Sequence, residues 1–128
     1  MSLNVIELMD SVIADAQALL GELGQDEKAR QKIASLLTQA QAIHAELMKY
    51  AAADGSIDNV PRSSGYYTRT PFGIFKTSMY IMNKYSEHKT ISISTEQMVR
   101  LQRMETNVNA VADRLTEIWT DQPNDSST

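Results

Sequence analysis

Cysteine is absent from the 128 residues, which excludes a disulfide framework, a thiolate metal site and a cysteine nucleophile. The same absence leaves the compartment open, since export and the cytoplasm both tolerate a chain without thiols. Long apolar runs are missing too. None approaches the roughly 18 residues of a membrane-spanning helix, so no membrane span is expected. The start, Met1-Ser2-Leu3-Asn4-Val5, lacks the basic and apolar regions of a cleaved signal. The expected location is cytoplasmic, with signal-peptide-independent secretion as the alternative.

Glycine and proline number only five and three. They are nearly absent from three long segments, and those segments share one period. Val5, Met9, Val12, Ala16, Leu19 and Leu23 follow one another at steps of four and three, the spacing of an amphipathic helix stripe. Gly24 is expected to end this helix as a left-handed cap. Asp26 is the expected N-cap of the next, where Ile33, Leu36, Ala40, Ile43, Leu47 and Tyr50 repeat the pattern. The short connection makes the pair an antiparallel hairpin. Ser94 and Gln97 form a capping-box signature, followed by Leu101, Met104, Val108, Val111, Leu115 and Ile118. Each stripe is too short for an extended coiled coil, so a compact bundle is expected.

Residues 53–71 are rich in turn formers and read as one long loop. Thr70 and Pro71 then read as the N-cap and first position of a helix, with Phe72, Phe75, Met79 and Met82 as its core face. Residues 90–94 alternate polar and apolar and read as an extended linker, with a short strand as the alternative. The fold class expected is all-α: a compact bundle of three long amphipathic helices plus one shorter aromatic-rich helix. One domain is expected over residues 1–121, with the hairpin at 3–52, the loop at 53–71 and helices at 71–86 and 94–120. Residues 122–128 read as a disordered tail.

Positive charge is scarce, and it is gathered. The formal net charge is -4, but residues 61–89 carry five basic and one acidic side chain, against four and nine in residues 1–60. Six of the eight aromatic residues also fall between Gly65 and Tyr85. Tyr66, Tyr67 and Arg69 stand in the expected loop, where packing accounts poorly for large aromatics, and Tyr and Arg are the types that anchor protein interfaces. Arg62 and Lys76 complete the candidate binding set.

No motif for chemistry competes with this cluster. The run Asp54 to Asp58 has the turn glycine of a calcium loop, but Tyr50, Ala52 and Pro61 stand where its carboxylates belong. His44 and His88 have no metal-ligand spacing. Methionines at stripe positions read as adaptable core filler rather than haem ligands, and no cofactor is expected. No serine sits in a nucleophile elbow. The function expected is that of a non-enzymatic helical interaction protein: an adaptor, small chaperone, immunity-type inhibitor or assembly component. It is expected to bind a protein partner or associate with itself as a homo-oligomer. The alternative is binding of a small ligand, phosphate or nucleic acid through the basic aromatic loop 62–76, although three or four cations in an acidic chain make nucleic acid a poor fit. An enzyme of unknown type ranks third.

Overall fold

The computed structural model describes residues 4–122, and they form four helices: α1 (Val5–Leu23), α2 (Glu27–Met48), α3 (Ser64–Glu87) and α4 (Thr95–Asp121). The architecture is the all-α compact bundle that the stripes predict. Asn4 Oδ1 accepts from Glu7 N–H at 3.0 Å and Asp26 Oδ1 from Ala29 N–H at 3.1 Å, closing the first turns of α1 and α2. Ser94 and Gln97 make both bonds of the capping box, at 3.2 and 2.9 Å. All six residues of the α4 stripe are buried, as are the first five of the other two stripes. Each buried Val, Leu, Ile or Met side chain among them contributes roughly 1.5–3 kcal/mol, and the alanines less.

Pairings between helices set their directions. Asp10 Oδ1 lies 2.9 Å from His44 Nε2 between α1 and α2. Ser78 Oγ donates to Ser35 Oγ at 3.0 Å between α3 and α2. Arg103 clasps buried Asp15 with two bonds of 2.8 and 2.7 Å between α4 and α1, while Glu22 accepts from Gln97 and Arg100 near the far end. Each pair is antiparallel. In space the helices run α4, α1, α2, α3, and the two outer ones, α3 and α4, meet only sparsely. The bundle is therefore least closed between α3 and α4.

Bonds from Gln97 first and Arg100 second hold the Glu22 carboxyl below its ordinary value of 4.5. A depressed carboxyl stabilises the fold above its unfolded pKa and ceases to do so as pH falls through the folded one. The expected outcome is a loss of stability below about pH 4.5, part of which disappears in Glu22→Gln. Thermal melts between pH 3 and 6 check this.

Two expectations need correction. Gly24 ends α1 in right-handed geometry (φ -66, ψ -11) and not as a left-handed cap; a Cβ there would press on the Leu20 carbonyl oxygen, which is the constraint that favours glycine. The left-handed cap occurs instead at Lys89 (φ 56), where Lys89 N–H bonds Ser86 O at 3.1 Å and Thr90 N–H bonds Tyr85 O at 2.8 Å. This is a Schellman ending built on a lysine. Because an L side chain in that region costs roughly 1–2 kcal/mol, Lys89→Gly is expected to raise stability by about 1 kcal/mol, measured by urea unfolding.

The second correction bears on the site. Helix α3 begins at Ser64, not at Pro71, and its 24 residues exceed the 19 of α1, so it is not a shorter helix. Pro71 sits inside it. Proline removes one helix bond and favours a first turn, yet tertiary anchors upstream prevail. Buried Ser64 donates to Glu46 Oε2 at 3.1 Å, Thr68 is buried, and the Trp119 ring covers Gly65 at 3.4 Å from its Cβ position. The loop accordingly shrinks to residues 49–63 and is tied down. Ile57 and Val60 are buried, Asp54 accepts from Ser56 N–H and Oγ at 3.0 and 2.8 Å, and Trp119 Nε1 donates to Pro61 O at 3.1 Å. Gly55 (φ +85) makes the turn, beside the Asn4 side chain. Of the expected tail, Gln122 is held by a 2.5 Å bond to Val60 O; residues 123–128 lie outside the described residues. Residues 90–94 form no strand.

Candidate functional site

Because α3 starts early, Tyr66, Tyr67 and Arg69 are helical, and a helix rather than a loop sets their directions. Successive residues turn by about 100°, so the two tyrosines part company. Tyr66 is 82% exposed and Tyr67 66% exposed. Tyr67 turns toward the end of α2, where Lys49 Nζ lies 5.4 Å from its ring centre. Beneath it, buried Glu46 accepts from Lys49 Nζ at 2.8 Å and from Ser64 Oγ at 3.1 Å. The Glu46 hydrogen bond holds the Lys49 ammonium above its ordinary value of 10.5, with the charge of the carboxylate next in weight. These groups clamp α2 to α3. Tyr66 has no such setting.

Arg62 lies away from the other candidate cations in role. Its Nη2 donates to Trp119 O at 2.5 Å and to Gln122 O at 3.3 Å, satisfying carbonyls at the C-terminal end of α4. It closes a helix. Arg69 and Lys76, seven residues apart, share one face of α3 and make no ion pair among the described residues. The structure thus brings Arg69 and Lys76 together, leaves Tyr66 beside them, and assigns Arg62 and Tyr67 contacts within the fold.

Arg69 and Lys76 edge a groove of about 380 Å³ between α3 and α4. Gly65, Thr68, Phe72 and Gly73 form its α3 wall, and Ala112, Leu115, Thr116 and Trp119 its α4 wall. Its lining contains no acidic residue. Apolar atoms at the bottom and two cations at the rim suit a ligand that is apolar on one side and anionic on the other. A shallower recess joins Arg62, Ser63, Gly65, Tyr66 and Arg69, so Tyr66 extends the same surface around the start of α3. Tyr80, also exposed, carries Lys84 Nζ at 5.5 Å from its ring centre and lies fourteen residues from Tyr66 on nearly the same side.

Phe72, Gly73, Ala112, Thr116, Trp119 and Tyr80 are missed as site residues by the sequence. The groove has two walls distant in the chain, and no local pattern joins them. Tyr80 alone is recoverable, as an aromatic off the stripe of α3. Among the described residues no three His, Asp or Glu side chains are gathered as metal ligands, and no helix is long and apolar enough to cross a membrane. No protein-family model matches the chain, and no curated protein or solved structure gives a significant match.

Proposed function

We propose that this chain is a non-enzymatic helical interaction protein, an adaptor, small chaperone, immunity-type inhibitor or assembly component, that engages a protein partner through α3. The observation that carries the reading is a contrast within one molecule. Buried polar side chains are hydrogen-bonded throughout the described residues, and core stripes are covered, yet α3 leaves Arg69 and Lys76 exposed at an open groove, with Tyr66 in the adjoining recess and Tyr80 exposed farther along the same helix. Aromatic and arginine side chains beside an apolar recess are the composition of interface anchors.

The test is site-specific photo-crosslinking in cells, with a benzophenone amino acid at position 66 and, as control, at position 99, which is exposed on α4. A defined protein, or a second copy of the chain, captured at 66 and not at 99 supports the reading. Identical capture at both positions, or none, contradicts it. Tyr66→Ala with Tyr67→Ala is expected to leave folding within about 1 kcal/mol, because both rings are mainly exposed and the one cation–π contact is worth about 0.5–1 kcal/mol. The pair should weaken association at least about tenfold, or 1.4 kcal/mol. Urea unfolding and binding measured on one sample check both halves.

Phosphate or nucleic acid remains a second reading, supported by unpaired Arg69 and Lys76. Arg62 adds little to it while it serves α4. Binding that falls steeply with salt would favour phosphate, whereas a largely apolar interface changes little.

A further inference from the structure

Glycine inside a helix costs about 0.5–1 kcal/mol relative to alanine, and a fold that keeps one needs a reason. Gly65 has its reason, since the Trp119 ring packs 3.4 Å from where its Cβ would stand. Gly73, like Gly21 in α1, has none within the fold, since a Cβ there meets nothing within 4 Å and its φ lies outside the left-handed region; unlike Gly21, it lines a groove. It stands in mid-helix at the groove, flanked along α3 by Arg69 and Lys76. Bare backbone at that point admits a close neighbour.

The two cations supply the second constraint. A rise of 1.5 Å per residue separates positions seven apart by about 10.5 Å along the axis. Carboxylates seven apart on another helix have the same separation. The groove offers Phe72, Ala112 and Trp119 to apolar side chains and no carboxylate to repel acidic ones. Nucleic acid fits less well, because two cations match about two phosphates while the chain as a whole is acidic, at -4.

Resting on the interaction reading above, we infer that the α3–α4 groove binds an acidic amphipathic helix of a partner protein. Its apolar side chains lie on Phe72, Ala112 and Trp119, two carboxylates seven residues apart pair with Arg69 and Lys76, and its backbone passes close to Gly73. The partner fills the least closed side of the bundle. This is recognition of a helix in a groove, with charge setting the register.

Trp119, the only tryptophan in the chain, reports on occupancy. The probe is a synthetic, tryptophan-free peptide of about 18 residues, five helical turns, with leucines on one stripe and glutamates seven apart beside it. A second peptide carries lysine in place of those glutamates. The acidic peptide is expected to change Trp119 emission saturably and to bind at least about tenfold more tightly than the lysine peptide. Arg69→Glu with Lys76→Glu should invert that preference. Gly73→Leu should keep or raise the melting temperature, since it adds helix propensity in open space, yet weaken binding at least about tenfold. Loss of binding in that variant cannot then be ascribed to unfolding.

The inference is overturned if the acidic peptide fails to bind at about 1 mM, if both peptides bind alike, or if charge reversal leaves the preference unchanged. It is equally overturned if Gly73→Leu binds as well as the parent, or if an oligothymidine displaces the peptide at lower concentration than unlabelled peptide does. Capture at position 66 alongside any of these results would keep the interaction reading and reject only the acidic helix.

Discussion

Phe75→Ala is expected to lower the unfolding free energy by about 3–5 kcal/mol, the cost of emptying a fully buried aromatic site. Phe75 is 1% exposed and belongs to the main core with Met79 and Met82. Neighbouring helices cannot collapse freely into the space, because antiparallel pairings hold α2 to α3 at both Ser35–Ser78 and Glu46–Ser64. For a chain of this size the loss corresponds to a melting temperature lower on the order of 10–20 °C. Calorimetry checks it. A change under about 0.5 kcal/mol, typical of surface positions, would mean that α3 does not pack as described.

Leu115→Ala should cost about 2–5 kcal/mol for the same reason on α4. Leu115 is 1% exposed, and it also underlies the groove beside Phe72 and Trp119. Its truncation joins core space to groove space. The cost therefore falls on both stability and binding, whereas Val111→Ala, buried on the same stripe but outside the groove lining, should lower stability alone. Urea unfolding and Trp119 emission on the same two variants separate these effects.

The stripes of α1, α2 and α4 are legible in the sequence because helix period, capping and burial all agree there. Asp26, Ser94 and Gln97 act as their local chemistry dictates. The start of α3 is not legible for the opposite reason: Pro71 and the serine-glycine run favour a loop locally, and only long-range contacts overrule them. Glu46, eighteen residues before Ser64, and Trp119, more than fifty after Gly65, provide those contacts. Tyr66, Arg69 and Lys76 stand out from composition alone, whereas Arg62 and Tyr67 stand out equally and prove to have partners within the fold. Whether a cation is already satisfied depends on tertiary geometry. The groove is illegible for the same reason, since α3 and α4 supply its walls from opposite ends of the spatial order.

The most direct measurement is an amide shift map of the isotopically labelled chain titrated with the acidic amphipathic peptide. Signals of Gly65, Gly73 and the Trp119 indole are predicted to move together and saturate at one concentration. Those of Gly21 and Gly24, at the end of α1, should stay in place. Shifts centred on α1 or around Val99, or a spectrum that does not change, would contradict the assignment of the α3–α4 groove as the binding surface.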